Sequence, residues 1–362
     1  MRILLICNTS DSVIGFRKKL IEKMQENGHQ VCAIAFDDKC REKIIEKNID
    51  FYSLEDKNRS LNPLKILSLE RRYKKLIKKI NPNLVFTFQL KPNIFGVPAA
   101  KACGIKNIYS MVEGAGDVFI NNTFKWKIIR FVVCKLYRRA FKFAKKVFFL
   151  NNDDKAEFLE RKLVRENQCE IVHGIGVDLD WFSYKPVKNY KTFLMIARML
   201  KTKGVFEYCK AARLVKQKYP DAVFNYLGGE GTVKLADIQE YIDDGSINYL
   251  GTTTDVRPYI EDCIVHILPS YREGLGLVNA EAGASGRLSI TCDTVGTRDT
   301  VKDGYNGFLV PIKNAEIIAE KCIWAIENSE EAEGMGKNAR KFAEENFDQK
   351  KINEKILNII EG

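Results

Sequence analysis

Two glutamates, Glu273 and Glu281, stand eight residues apart around a short glycine-rich segment. An apolar run over residues 264–268 leads into this segment and predicts a buried strand, and Gly274 and Gly276 permit the tight turn that follows. The small and apolar residues that come next predict a buried helix containing Glu281. The first amides of such a helix lack partners and carry partial positive charge, so they can hold a phosphate, while carboxylates accept hydrogen bonds from sugar hydroxyls. A phosphate flanked by hydroxyl-rich rings describes a nucleotide sugar.

Two cations follow another predicted strand, residues 193–197. Arg198 and Lys203 are expected at the carboxyl end of that strand, where the ligands of parallel sheets bind. Two cations at such a place neutralise the charge that develops on a departing diphosphate, a task that other enzymes give to a metal ion. Taken alone, such a pair is usually surface charge, and it is the presence of Glu273 and Glu281 in the same half of the chain that favours a functional site.

The first half of the chain opens with a strand, a loop, a helix and a second strand, the pattern of a doubly wound α/β domain. The helix is predicted over residues 16–27, and no Gly-x-Gly-x-x-Gly dinucleotide motif precedes it. Gly15 ends the loop after the first strand, and Glu113 lies on a glycine turn after a later one. Both are therefore expected at the carboxyl edge of a sheet, where ligands bind. A role in a turn or a helix cap is the structural alternative for Glu113.

The segment from Glu273 to Glu281, with its Pro-Ser lead-in and Gly-x-Gly loop, resembles the Glu-x7-Glu signature of the retaining glycosyltransferases of family 4. The resemblance extends over nearly the whole chain. It implies an α/β structure of the GT-B fold, in which two Rossmann-like, doubly wound domains face each other across a cleft. Residues 296–299, Gly-Thr-Arg-Asp, fall where the family has Gly-Gly-x-x-Glu, so no role is assigned to Asp299.

The resemblance also implies the roles of individual residues. Arg198 and Lys203 match the family's cations that grip the donor diphosphate, Glu281 the residue that binds the ribose, and Glu273 the residue that binds the donor sugar. Because no separate nucleophile is evident, the acceptor is expected to attack from the face of the leaving group, with a phosphate oxygen as base. The expected catalytic residues are Arg198, Lys203, Glu273 and Glu113. The expected binding residues for the nucleotide sugar are Gly15, Gly274, Leu275, Gly276, Leu277 and Glu281.

Within the family, the match is strongest to bacterial enzymes that add an N-acetylhexosamine to a polyprenyl-diphosphate-linked sugar. Residues 59–63, 112–114 and 125–146 resemble those N-acetylgalactosaminyltransferases, as do the two glutamates. The resemblance implies a UDP-sugar donor, a polyprenyl-diphosphate-linked acceptor and a product used in O-antigen, capsule or protein-glycan assembly. The implied domains are an acceptor-binding domain over residues 1–172, a donor-binding domain over residues 173–345, and a terminal helix over residues 346–362 that packs back onto the first domain.

Positive charge is concentrated in the first half of the chain. Residues 1–150 hold 30 Lys and Arg against 13 Asp and Glu, whereas the remainder holds 28 against 34. Residues 124–146 contain nine basic and no acidic residues among large apolar ones, a composition typical of a helix that lies on an anionic membrane surface. Trp126, Phe131 and Phe141 are expected to enter the headgroup boundary. A core helix with a solvated basic face is the alternative, and nucleic acid is not expected because no recognised binding motif accompanies the charge.

Cysteine usage and apolar content indicate the compartment. The ten cysteines are scattered without a Cys-x-x-Cys pair, and no run approaches the ~18 apolar residues of a membrane span. The expected location is therefore the cytoplasm, with peripheral attachment to the inner face of the cytoplasmic membrane. With three histidines and no cluster at ligand spacing, neither a metal nor another cofactor is expected, the UDP-sugar being a co-substrate.

Other functions remain open at this point. A sugar-nucleotide epimerase on the same scaffold would use the same donor site, although the basic stretch would then be unexplained. A nucleotide-sugar or polyanion-binding protein without catalysis is a second rival, against which the pairing of two cations with two carboxylates argues. A glycosyltransferase with another donor, such as a UDP-uronic acid, also fits, because the residues that read the sugar's substituents lie in loops.

Overall fold

The computed structural model describes residues 1–54, 63–120 and 123–362. Apart from the backbone of Pro63, the motif at residues 59–63 lies outside this part of the chain. Two compact units are present, one formed by Met1–Ile175 with Lys350–Gly362 and the other by Gly176–Gln349. The sequence-based boundaries, after residues 172 and 345, lie slightly earlier than these.

The first unit contains a parallel sheet with the strand order β3-β2-β1-β4-β5-β6-β7. All five residues of its central strand β4 are buried, as expected of a parallel sheet that is covered on both faces. The strands are β1 (Arg2–Ile6), β2 (Gln30–Ala35), β3 (Asp50–Ser53), β4 (Leu84–Phe88), β5 (Asn107–Val112), β6 (Lys146–Phe149) and β7 (Cys169–Ile171). The helices that follow them are α1 (Ser10–Ile14), α2 (Lys18–Glu26), α3 (Arg41–Ile45), α4 (Pro63–Ile80), α5 (Val97–Ala102), α6 (Asp117–Ile120), α7 (Phe124–Phe141) and α8 (Asn152–Glu160).

The first helical region differs from the prediction of one helix over residues 16–27. The side chain of Thr9 accepts a hydrogen bond from the Ser12 amide and so caps a short earlier helix, α1. The Gly15 amide donates to the Asp11 carbonyl at 2.8 Å and ends that helix, and α2 begins afterwards at Lys18. Arg17 lies at the break between α1 and α2, and its side chain is buried there. One continuous helix would not have predicted this burial.

The second unit contains a parallel sheet with the strand order β10-β9-β8-β11-β12-β13. Alternate residues of its strands face opposite layers, so that Phe193 and Met195 pack with one set of helices and Leu194 with another. The strands are β8 (Thr192–Ile196), β9 (Val223–Leu227), β10 (Asn248–Tyr249), β11 (Val265–Leu268), β12 (Leu288–Cys292) and β13 (Gly307–Val310). The helices are α9 (Val205–Lys218), α10 (Gln239–Asp243), α11 (Arg257–Asp262), α12 (Leu277–Ala284), α13 (Ala315–Glu327) and α14 (Ser329–Asn346).

The last helix, α15 (Gln349–Glu361), starts at the end of the second unit and continues in the first. Its buried residues belong to the same cluster as Ile3 and Leu5 of β1. The Lys355 ammonium donates to the Ile171 carbonyl at 2.7 Å, and the Glu361 carboxylate accepts from His29 at 2.9 Å. The helix thus closes one face of the first sheet.

None of the helices within the described ranges is both long enough and apolar enough to cross a lipid bilayer. All ten cysteines are free thiols.

Candidate functional site

The loop of Glu273 joins β11 to α12, as the sequence predicts. Gly276 precedes α12 with a φ of 79°, a left-handed conformation that favours glycine, and the helix begins at Leu277. The loop is therefore fixed at both ends, by the buried strand before it and by the glycine that starts the helix. Leu275 is buried within it.

Lys203 is held against this loop by three contacts. It ends a 3₁₀ turn, Lys201–Lys203, and its ammonium forms an ion pair with the Glu273 carboxylate. The Tyr271 amide donates to the Thr202 carbonyl at 2.9 Å. A Cβ at Gly204 would lie 2.3 Å from the Pro269 carbonyl oxygen, so only glycine lets the turn approach the loop so closely. A cation and a carboxylate separated by seventy residues are thereby brought into contact.

Arg198 and Lys203 line a groove at the carboxyl ends of β8 and β9, which we call the β8–β9 groove. Its volume is about 470 Å³, within the range typical of ligand sites. The Arg198 side chain is exposed and has no ion pair or hydrogen bond with any residue that the structure describes. The groove is lined by Ile196, Ala197, Arg198, Leu200, Lys203, Leu227, Gly228, Thr252, Thr253, Val256 and Val278.

Glu281 lies in the second turn of α12, three residues after Val278, which lines the groove. Residues three apart share a helix face, so Glu281 lies on the same face of α12 as Val278. Its carboxyl has no hydrogen-bond or ion-pair partner in the described part of the chain. Burial raises the pKa of this carboxyl to about 8, because the charged form loses its hydration without gaining a cation.

Residues 293–297 support the Glu273 loop, a role that sequence reasoning missed. The Glu273 amide donates to the Val295 carbonyl at 3.0 Å, and the Thr294 hydroxyl donates to the Ser270 carbonyl at 3.2 Å. A Cβ at Gly296, where φ is 83°, would lie 2.4 Å from the Glu273 carbonyl oxygen. Gly296 is the sequence signal for this role, because a residue with a left-handed conformation whose Cα lies against another backbone has no room for a Cβ and must be glycine.

A buried polar chain fixes the start of α12. The Asn279 side chain accepts from His266 Nδ1 at 2.9 Å and donates to the Thr300 hydroxyl at 3.0 Å. Burial lowers the pKa of His266 to about 4, so the imidazole is neutral and its proton is on Nδ1. These bonds tie α12 to β11 and to the segment that supports the loop.

Glu113 and Gly15 belong to the first unit and are therefore not part of the grouping above. The Glu113 carboxylate pairs with the Arg17 guanidinium, which is 1% exposed. Arg17 also donates to the Ser12 carbonyl at 3.1 Å and lies 4.1 Å from the centre of the Phe88 ring. The sequence gives no signal for Arg17, because the prediction of one helix over residues 16–27 does not include the break before α2 that buries this side chain.

Helix α7 has an outward face that is both apolar and cationic. The buried residues of the helix are Val133, Tyr137, Ala140 and Phe141. On the opposite face the exposed apolar residues recur at helical spacing: Phe124, Ile128, Phe131 and Val132. The expectation that Phe141 faces outward is wrong, since it is 0% exposed, and Trp126 is partly buried against the core. Helical periodicity explains this, because Phe141 lies on the same face as Val133 and Tyr137.

Within the described residues, no group of three or more His, Cys, Asp or Glu has the arrangement of a metal site.

Comparison with known proteins gives matches over the whole chain. The family model described as Glycosyl transferases group 1 matches residues 179–342, and that described as Glycosyl transferase 4-like matches residues 2–151. The chain is 29% identical over 373 residues to the N,N'-diacetylbacillosaminyl-diphospho-undecaprenol alpha-1,3-N-acetylgalactosaminyltransferase of Campylobacter jejuni, with 99% of this chain and 98% of that protein covered. It is 25% identical over 303 residues to the UDP-Gal:alpha-D-GlcNAc-diphosphoundecaprenol alpha-1,3-galactosyltransferase of Escherichia coli, with 79% and 76% covered.

Among solved structures, Anabaena HepE in complex with UDP and glucose is similar with a TM-score of 0.80 and 18% identity, over 100% of this chain and 99% of that one. This likeness concerns the fold, and it confirms the prediction of a GT-B architecture built from two parallel-sheet, Rossmann-like units.

Proposed function

This chain belongs to the glycosyltransferases, and we propose that it moves a sugar from a UDP-sugar to a polyprenyl-diphosphate-linked saccharide with retention of anomeric configuration. An N-acetylhexosamine is the sugar we propose. The observation that carries the proposal is that Arg198 and Lys203 line the β8–β9 groove while Lys203 also forms an ion pair with Glu273. Glu281 is three residues after Val278, which lines the same groove. Each of these residue types matches one part of a nucleotide sugar.

The two cations suit the diphosphate. Arg198 is exposed at the end of β8, and Lys203 lines the same groove. A guanidinium and an ammonium together oppose the charge of a leaving nucleoside diphosphate, which supports transfer without a divalent metal. The carboxyl of Glu281, which lies on the same face of α12 as Val278, suits the ribose hydroxyls, and Glu273 suits the hydroxyls of the sugar.

The proposed step breaks the bond between the anomeric carbon and the β-phosphate oxygen of the donor. A bond forms from the acceptor hydroxyl oxygen to that carbon on the same face, and the hydroxyl proton moves to the departing phosphate oxygen. Retention follows because attack and departure share one face. Lys203 and Arg198 stabilise the negative charge that develops on the departing phosphate oxygen as its bond to the sugar breaks, before that oxygen takes the hydroxyl proton.

The lipid-linked acceptor is proposed from the relatives. The Campylobacter and Escherichia proteins both carry names that specify a diphospho-undecaprenol-linked acceptor, and the first of them matches over 99% of this chain. The two names specify different transferred sugars, N-acetylgalactosamine and galactose. We propose the N-acetylhexosamine because the first protein is 29% identical over 99% of this chain and the second 25% identical over 79% of it.

A donor screen tests the function. Purified protein is incubated with a polyprenyl-diphosphate-linked N-acetylhexosamine and, separately, with UDP-GalNAc, UDP-GlcNAc, UDP-galactose and UDP-galacturonic acid. We expect a lipid-linked disaccharide from one donor, with an α linkage by NMR. An epimerised UDP-sugar formed without acceptor would assign the protein to the epimerases, and UDP-sugar binding without transfer or hydrolysis would identify a binding protein.

We further propose that the protein works at the inner face of the cytoplasmic membrane and attaches there through the outward face of α7. This face, formed by Phe124, Ile128, Phe131, Val132 and Lys135, combines exposed apolar groups with a cation. The Lys135 ammonium lies 4.5 Å from the centre of the Phe131 ring, so it remains beside the apolar group that would meet the headgroups. Apolar insertion and attraction to anionic lipid act together in interfacial helices.

Helix α4 extends the cationic surface. Glu70 of α4 accepts two hydrogen bonds from Arg139 of α7, at 3.1 and 2.8 Å, which joins the two helices. The exposed cations of α4 are Arg71, Arg72, Lys75, Lys78 and Lys79. Each cation near an anionic surface contributes about 1 kcal/mol, so several together can hold a protein reversibly at the membrane.

Vesicle co-sedimentation tests the attachment. Binding should rise with the fraction of anionic lipid and fall with added salt, because salt screens the charges. Changing Lys125, Lys135 and Lys142 to Glu should weaken it at least tenfold, and changing Ile128 and Phe131 to Ser should weaken it at constant charge. The matched control changes three exposed lysines of the second unit, Lys188, Lys210 and Lys341, to Glu. Equal losses in the two lysine variants would show that α7 has no special role.

A further inference from the structure

Two tyrosine hydroxyls hold the backbone at the ends of the strands that form the β8–β9 groove. The Tyr226 hydroxyl donates to the Ala197 carbonyl at 3.0 Å, just after β8. The Tyr249 hydroxyl donates to the Gly228 carbonyl at 3.1 Å, just after β9. Both accepting residues line the groove, whereas neither tyrosine does.

The direction of these carbonyls sets the direction of the adjoining amides. In a trans peptide the C=O and the N–H point in opposite directions. Tyr226 is 0% exposed and belongs to the core below the groove, so the Ala197 carbonyl points inward and the Arg198 N–H points outward. The same argument turns the Gly229 N–H away from Tyr249. Within the described residues, neither of these amides has a hydrogen-bond acceptor.

The two peptide units are packed directly on each other. A Cβ at Gly228 would lie 1.8 Å from the Ala197 carbonyl oxygen, and the Gly228 amide donates to the Gly251 carbonyl at 2.8 Å. A rotation of the Ala197 peptide would therefore displace Gly228 as well. Burial raises the pKa of the Tyr226 phenol, which keeps its hydroxyl protonated and able to donate.

We propose that Tyr226 and Tyr249 are positioning residues, which hold the Arg198 and Gly229 amides as a pair of hydrogen-bond donors for carbonyl or phosphoryl oxygens of a nucleotide in the β8–β9 groove. This inference rests on the proposed function only in so far as the ligand is a nucleotide. The role concerns binding, because the tyrosines act through the backbone and touch neither the sugar nor the acceptor.

A third tyrosine provides a matched control. Tyr208 is buried beside Tyr226, with 6.1 Å between the ring centres, and its hydroxyl donates to the Asn225 carbonyl at 2.8 Å. Asn225 lies within β9 and does not line the groove. Replacement of Tyr208 by Phe therefore removes a buried hydroxyl from the same aromatic group without changing the direction of a peptide at the groove.

The experiment compares Tyr226→Phe, Tyr249→Phe and Tyr208→Phe with the wild type by calorimetric titration of UDP, steady-state kinetics and thermal unfolding. We expect UDP affinity to fall about fivefold in each of the first two variants, the effect of losing one neutral hydrogen bond. The KM for the donor should rise by the same factor with kcat within about twofold. Tyr208→Phe should lower the Tm without changing UDP affinity.

Equal UDP affinity in Tyr226→Phe, Tyr249→Phe and Tyr208→Phe would overturn the inference. Amide NMR of the wild type with ¹⁵N-labelled glycine gives a second measure that needs no variant, since the Gly229 resonance should shift on saturation with UDP. A resonance that does not move would also overturn it. Failure of the proposed function has a different signature, namely UDP binding with no sugar transfer to any lipid-linked acceptor, and absence of UDP binding by the wild type would overturn both.

Discussion

The partly buried carboxyl of Glu281 leads to a prediction about stability as well as about binding. Its pKa rises from an ordinary 4.5 to about 8 in the folded protein. Below pH 4.5 the carboxyl is neutral in both states and costs nothing. As the pH rises, the unfolded chain ionises first, so the free energy of unfolding falls until the pH passes 8. The free energy of unfolding is therefore highest below pH 4.5, the pKa of Glu281 in the unfolded chain. It reaches its lowest value once the pH exceeds about 8, the pKa of Glu281 in the folded protein.

The size of the effect follows from these two values at about 1.4 kcal/mol per pH unit. Because the Glu281 side chain is partly exposed and solvent screens its charge, these values are upper limits: the cost of the carboxyl is at most about 1 kcal/mol at pH 5, about 3 kcal/mol at pH 7 and about 5 kcal/mol at pH 9. Replacing Glu281 with Gln removes the ionisation while keeping the shape. We therefore expect Glu281→Gln to raise the Tm of the second unit at pH 7 by several degrees and by at most roughly 12 °C, and by clearly less at pH 5.

Scanning calorimetry of wild type and variant between pH 5 and pH 9 measures this difference. The control is Glu345→Gln, which changes an exposed carboxyl of α14 and should alter stability by less than about 0.5 kcal/mol at every pH. A Tm difference between Glu281→Gln and wild type that does not grow with pH would refute the reasoning.

The same carboxyl should make nucleotide binding depend on pH in the opposite direction. If the ionised form accepts hydrogen bonds from the ribose, UDP binding releases a proton below pH 8. Affinity should then rise about tenfold between pH 7 and pH 9, and Glu281→Gln should bind weakly at both. Titration calorimetry in buffers of different ionisation enthalpy detects the proton. Glu281→Gln would then be more stable but less active than the wild type. A wild-type affinity for UDP that does not change between pH 7 and pH 9 would exclude Glu281 from the ribose site.

Three further predictions concern the same unit. Arg198→Ala should lower kcat/KM by about 10²–10³ through lost stabilisation of the leaving diphosphate, whereas Lys210→Ala should not, and near wild-type turnover would exclude Arg198 from the site. Sugar transfer should persist in excess EDTA, because cations of the chain oppose the diphosphate, and activity that only added Mg²⁺ or Mn²⁺ restores would disprove this. Gly296→Ala should destabilise the unit and raise the donor KM, because its Cβ would lie 2.4 Å from the Glu273 carbonyl oxygen. Gly245→Ala, where φ is 72° and no atom lies within 4 Å, should show only the backbone cost of about 1 kcal/mol.

Local patterns in the sequence predict most of the second unit. The strands predicted over residues 193–197 and 264–268 agree with β8 (Thr192–Ile196) and β11 (Val265–Leu268) to within one residue at each end, and Glu281 lies inside α12 as predicted. These elements are specified by neighbouring residues, because the length of an apolar run and the glycines and prolines that flank it distinguish a buried strand from a buried helix. The fold class followed from the order of such elements.

Contacts between distant residues were not predictable in the same way. Nothing near Lys203 in the sequence indicates its ion pair with Glu273, and nothing near Arg17 indicates its pairing with Glu113. Composition alone also misjudged α7, since it identified a basic and aromatic helix but not which aromatic side chains face outward. The spacing of Val133, Tyr137 and Phe141 contained that information.

The ion pair between Lys203 and Glu273 has a consequence for selectivity among anions. Without a ligand, the Lys203 ammonium and the Glu273 carboxylate neutralise each other. A simple anion such as inorganic phosphate can take the lysine only by leaving Glu273 without its cation. A nucleotide sugar offers phosphate oxygens to Lys203 and hydroxyls to Glu273 at the same time, and so replaces both partners. Only a ligand that carries both a phosphate and sugar hydroxyls can then break the ion pair without leaving Lys203 or Glu273 unpaired. The site therefore discriminates against simple phosphates, which are abundant in the cell.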